Sequence, residues 1–143
     1  MTRTLHLLKR FALRKALVIS LCASLVVPMA PRRAQAQGLT EYALILALIA
    51  IIAIAADELP PQTQQPAGVL IDELHTAIES ASAAQGQGSV TGQISALNKA
   101  IGIETALEGT SSQCTDCSLF DSTLQEIIDA STAIRAKLIP AGK

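Results

Sequence analysis

Gln37-Gly38-Leu39-Thr40-Glu41-Tyr42 runs directly into Ala43–Ala56, an unbroken stretch of Ala, Leu and Ile. A single carboxylate stands at the mouth of this segment. An ionised Glu facing lipid or an apolar core costs several kcal/mol unless something pairs with it. Glu41 therefore calls for a partner, and no basic residue lies within a helical turn or two after it. Tyr42–Ala56 carries no charge, and with its flanks it makes a helix of 22 residues, Gly38 to Leu59. Such a helix is about 33 Å long, close to the hydrocarbon thickness of a bilayer. It is apolar all round rather than on one stripe, so it needs apolar surroundings on every side. Ala43, Ala47 and Ala50 fall at i, i+4 and i+7, a small-residue strip that lets helices approach closely. Asp57-Glu58 and Pro60-Pro61 close the segment.

Charge divides the chain at the same place. The first 36 residues hold Arg3, Lys9, Arg10, Arg14, Lys15, Arg32 and Arg33 and no acid, a sum of +7. From Gln37 onward there are four bases (Lys99, Arg135, Lys137, Lys143) and twelve acids, so 4 − 12 = −8. A basic leader ahead of an acidic product reads as a targeting segment, because positive flanks stay cytoplasmic. An acidic mature part with one Tyr, two Phe and no Trp offers little hold for nucleic acid.

The leader has a basic start, Arg3 to Lys15, then a mostly apolar run, Ala16 to Val27, that is short for a membrane span. Ala34-Gln35-Ala36 is an A-x-A site that signal peptidase could cut before Gln37. Cys22 does not make a lipoprotein site, since Leu21 precedes it where a small residue is needed.

Glu41-Tyr42 at the head of an apolar helix, five residues after a small residue at the end of a basic leader, resembles the processing region of type IV pilins. It is most similar to the short Flp-type (type IVb) pilins of the tight-adherence system. The resemblance covers about 22 residues, the cut site and the first helix. It implies cleavage between Ala36 and Gln37, with Ala36 standing where the family usually has Gly. Prepilin peptidase and signal peptidase thus fit the same bond, and Arg32-Arg33 beside the second apolar segment favour the cytoplasmic one, prepilin peptidase. The resemblance further implies insertion in the inner membrane, hand-over to the pilus assembly machinery, and polymerisation with copies of itself into an extracellular filament, or fimbrium. Glu41, Tyr42, Ala43, Ala47 and Ala50 are the residues it assigns to assembly. The new ammonium at Gln37 becomes the candidate partner for Glu41. Two alternatives stand beside it: a minor pilin-like subunit of a secretion machine, and a single-pass envelope protein whose helical domain binds a partner.

Beyond the apolar helix, Pro60-Pro-Gln-Thr-Gln-Gln-Pro66 reads as a stiff, extended polar linker. Three helical patterns follow in residues 67–143, where no strand pattern competes. The first, about 67–85, shows Leu70, Leu74, Ala77, Ile78 and Ala81 on one face, and Gly86-Gln-Gly-Ser89 stops it. The second, about 91–108, carries Ile94, Leu97, Ile101 and Leu107. The third, about 118–138, turns Phe120, Leu124, Ile127, Ile134 and Leu138 inward, with Ser131 interrupting, and Lys137 and Pro140 mark its end. The expected fold is all-α: a leader over 1–36, a long hydrophobic N-terminal helix over 37–59, a linker over 60–66 and a small bundle of about three helices over 67–143. A bundle so small and poor in aromatics gains from packing on neighbouring subunits.

Catalytic chemistry is thin. Cys114-Thr-Asp-Cys117 is a C-x-x-C without the βαβ context of a redox motif and without further ligands for zinc. A local disulfide in an exported loop is the plainer reading. Gly86-x-Gly88 follows a helix rather than a strand, which speaks against a phosphate loop. Asp72-Glu73 and Glu126 with Asp129 read as solvated acidic faces. With His75 the one histidine outside the leader, no nucleophile–base–orienter set can be assembled, so the sequence predicts no enzyme, no metal site and no cofactor.

Overall fold

The computed structural model describes residues 33–139, with side chains from Gly38 onward. The leader reading of residues 1–36 lies mostly outside this range, and the side chains at the Ala36–Gln37 bond lie outside it too. Four helices fill the described chain: α1 (Arg33–Ala55), α2 (Pro61–Gly86), α3 (Val90–Ser111) and α4 (Ser118–Leu138), with a 3₁₀ turn at Ala56–Glu58 closing α1. No strand occurs among the described residues.

Short connections force antiparallel neighbours. α2 packs on α3, α3 on α4, and α1 lies against both α2 and α4, completing a four-helix ring. Hydrogen bonds fix the directions. Lys137 near the end of α4 donates to Glu41 near the start of α1, and Arg135 on α4 donates to Asn98 on α3. Diagonally opposed α1 and α3 run parallel, joined by the Tyr42 hydroxyl, which donates to Gln93 Oε1 at 2.9 Å.

Local chemistry accounts for the turns. α2 ends in a Schellman arrangement: Ser89 N–H donates to the Ala84 carbonyl and Gly88 N–H to that of Gln85, with Gly88 at φ +71. A side chain is strained at that angle, so glycine is needed there. Ser89 then caps α3 by accepting from Gly92 N–H at 3.1 Å. α4 carries Asp121 in its first turn and Arg135 and Lys137 in its last, charges that suit the helix dipole.

The linker expected over 60–66 is instead the first two turns of α2. Pro61 occupies the first helical position, where its missing N–H has no helical partner to lose. Pro66 gives up one bond, to the Gln62 carbonyl, and Gln62 is an exposed residue. Gln64 Nε2 donates to the Leu59 carbonyl at 2.9 Å and Thr63 Oγ1 to that of Pro60, tying the turn between α1 and α2. The boundary between an apolar helix and a separate three-helix domain disappears with the linker. Tyr42, Ile45, Ile49, Ile52 and Leu59 share one continuous core with Leu74, Ile78, Leu97, Leu107, Phe120 and Ile127. Fully burying an aliphatic side chain stabilises by about 2 kcal/mol, so α1 is a substantial part of this core.

The inward face of α2 matches the sequence reading at Leu74, Ala77, Ile78 and Ala81 and differs at one position, while that of α3 is rotated. On α2 the buried position is Ile71, with Leu70 only half-buried. On α3 Ile94 and Ile101 are half-buried, while Gln93 and Glu104 occupy the core. Polar groups on α3 are turned inward because other helices hold their partners, which hydrophobic periodicity cannot register.

Candidate functional site

α1 is two-faced in its surroundings although not in its composition. At about 100° per residue, Ala43, Ala47, Ala50 and Ile54 fall on the side opposite Ile45 and Ile52. None of these four is buried, and beside them Leu44 is 57% exposed. α1 is therefore closely packed on one side and only partly covered on the other. Among the described residues, Gly38–Glu58 is the one helix long and apolar enough to cross a membrane.

Each end of α1 is pinned by polar contacts. Tyr42 is turned inward, its ring buried and its hydroxyl on buried Gln93. Glu41 meets Lys137, 96 residues away in sequence, in a partly exposed ion pair. The partner of Glu41 in this fold is thus a cation of the same chain, Lys137, and not the Gln37 ammonium named as its candidate partner. Local sequence could not disclose it, because α4 comes alongside α1 only in the folded bundle. Gly38 lets the Gln85 side chain cross α1 where any Cβ would overlap it.

At the other end the carboxylate of Glu58 accepts from Phe120 N–H at 3.3 Å, capping the first turn of α4 from across the bundle. Cys114 and Cys117 form a disulfide, and Cys117 Sγ lies 3.3 Å from the Glu58 carbonyl oxygen. Cys117 holds the N-cap position of α4 but supplies no side-chain cap, so Glu58 takes over that task. In the sequence Glu58 is no more than a stop signal.

One carboxyl group is interior among the described residues. Glu104 is 1% exposed, its Oε1 accepts from the Ser131 hydroxyl at 2.7 Å, and its Oε2 has no hydrogen-bond partner. Burial pushes its carboxyl up to about 7; the Ser131 hydrogen bond opposes that rise and repulsion from Glu108, one turn on, adds to it. Ser131, which interrupts the apolar face of α4, is the donor this acid requires.

No group of three or more His, Cys, Asp or Glu able to hold a metal occurs among the described residues. His75 pairs with Glu79 on the exposed side of α2 at 3.7 Å. Comparison with models of known families, with curated proteins and with solved structures finds no match to this chain. The arrangement offers a surface: an apolar helix face framed by a carboxylate–ammonium pair at one end and a disulfide-braced cap at the other.

Proposed function

We propose that the chain is the structural subunit of an adhesive surface filament of the Flp pilin type. In this reading it is inserted in the inner membrane through α1, cut after Ala36 by prepilin peptidase, and polymerised by the pilus assembly machinery. The observation that carries it is the outward face of α1, apolar from Ala43 to Ile54, where Ala43, Ala47, Ala50 and Ile54 are only half-buried and Leu44 is exposed. Ala43, Ala47 and Ala50 on that face allow close approach of a second helix.

Membrane insertion and the bundle exclude one another. α2, α3 and α4 carry exposed Asp, Glu and Lys on their outer sides, and taking such groups into hydrocarbon costs several kcal/mol each. α1 can span a bilayer only when the other three helices have left its inner face. The bundle is the state after extraction, when packing on α2–α4 replaces lipid on one side and neighbouring subunits replace it on the other.

Mass spectrometry of sheared surface material, with electron microscopy of the same fraction, tests the proposal. The expected result is a mature start at Gln37 in fibres of this protein. Leu44→Arg and Ala47→Arg point away from the core, so they should keep the helical signal yet abolish fibres. Fibres of normal abundance in both variants would refute assembly through this face.

The intrachain Glu41–Lys137 pair favours a second reading, since it leaves Glu41 without need of a neighbour. A single-pass envelope protein with a partner-binding helical domain fits that pair. It predicts retention of the protein in the membrane and none in sheared material.

A further inference from the structure

The disulfide and the end of α1 converge on one amide. Cys117 is the N-cap residue of α4, and an N-cap side chain accepts from the N–H two or three positions on. Three positions on is Phe120, whose N–H is held instead by the Glu58 carboxylate, brought from the end of α1. While its sulfur is bonded to Cys114, Cys117 supplies no cap of its own. Both sulfurs lie near the Glu58 carbonyl oxygen, at 3.3 Å for Cys117 and 3.7 Å for Cys114. They differ in access: Cys117 is 2% exposed, whereas Cys114, in the loop between α3 and α4, is only half-buried.

We propose that the Cys114–Cys117 bond is a redox latch on α1, opened by thiol–disulfide exchange with a dithiol. One thiolate of the dithiol attacks Cys114 Sγ, the more accessible sulfur. The bond between the cysteines breaks, and its electron pair leaves on Cys117. The second thiolate of the dithiol then closes the reductant's own disulfide and expels Cys114. Two electrons have passed to the protein; of the dithiol's two protons, one ends on Cys114 and the other in solvent. Cys117 is left as a thiolate at the N-terminus of α4, where unbonded N–H groups and the helix dipole favour an anion. It is then the local acceptor for the Phe120 N–H, and a second anion on the same amide is repelled. Oxidised, α4 takes its cap from α1; reduced, it takes its cap from Cys117, and the tie through Glu58 is lost. The inference goes beyond the filament reading and does not depend on it, since it concerns how firmly the end of α1 is held.

Cleavage of the full chain by a glutamate-specific protease, in mild detergent, tests it. A Cys22→Ser background leaves Cys114 and Cys117 as the only cysteines. Leu59 is 2% exposed, so a cut after Glu58 requires the end of α1 to come away. Dithiothreitol should speed that cut about fivefold, the weight of one helix cap, and leave the cut after buried Glu104 unchanged. Cys114→Ser and Cys117→Ala both lose the cross-link, but only the first keeps a sulfur at the N-cap. Cys114→Ser should therefore be cut fast without reductant, and Cys117→Ala no faster than the oxidised parent. A second measurement leaves both cysteines in place. In dithiothreitol buffers of graded redox ratio, Glu58→Gln keeps an acceptor without a charge and should be reduced about fivefold more readily than the parent, because cap and bond are linked reciprocally. Four results would each overturn the latch: a Glu58 cut indifferent to reduction; equal acceleration after Glu58 and Glu104; Cys117→Ala cut as fast as Cys114→Ser; or equal reduction of Glu58→Gln and the parent.

Discussion

Replacing Glu104 by Gln removes the interior ionisation while keeping an acceptor for Ser131. The Glu104 carboxyl titrates at about 7 in the fold against an ordinary value of 4.5. A difference of one unit is worth about 1.36 kcal/mol, so the 7 − 4.5 difference amounts to about 3 kcal/mol. The sign follows from which state holds the proton. Between these two values the unfolded chain has released its proton and the folded chain still binds one, so stability falls as pH rises. The loss is absent below 4.5 and complete above about 7. Urea unfolding of the leaderless chain, followed by circular dichroism from about pH 4.5 to 8.5, should show the parent losing up to that amount. Glu104→Gln should be nearly flat over the same window and more stable than the parent at its alkaline end. A parent whose stability does not change across the window, or a variant that keeps the parent's slope, would refute a protonated interior carboxyl.

Four further outcomes follow from the contacts at the two ends of α1. Glu58→Ala should cost about 1 kcal/mol through loss of the α4 cap, and Cys114→Ser with Cys117→Ser about 2 kcal/mol for so short a loop, both read from unfolding midpoints. Tyr42→Phe strands the buried Gln93 oxygen at a cost of about 1–2 kcal/mol, and adding Gln93→Leu should recover part of it; a fully additive double variant would count against the bond. Glu41→Ala breaks a partly exposed ion pair and should shift stability by at most about 0.5 kcal/mol. If Glu41 also acts in assembly, the same variant should abolish or sharply reduce fibres, whereas normal fibres would confine it to the Lys137 pair.

Much of the helical pattern is legible in the chain itself. Gly88 marks a positive-φ stop between α2 and α3, and Ser118–Leu138 matches the third pattern end to end. These are local effects, set by residues within a turn of one another. The Pro60–Pro66 stretch reads as a linker yet folds as helix, because a proline in the first turns forgoes little, and that depends on where the helix starts. Charge asymmetry and the apolar run of α1 are also properties of sequence alone, and they first suggest the filament reading. What they leave open is which side of α1 is covered. Composition is nearly uniform around that helix, so no apolar stripe directs it. The inward face is chosen by Tyr42 reaching Gln93 and by the shape of α2 and α4 around Ile45 and Ile52. Pairing across long separations is equally hidden. Glu41 with Lys137, Glu58 with Phe120 and Glu104 with Ser131 each join residues brought together only when the helices align. A hydrogen bond depends on distance in space, and sequence spacing constrains that distance only within a helix.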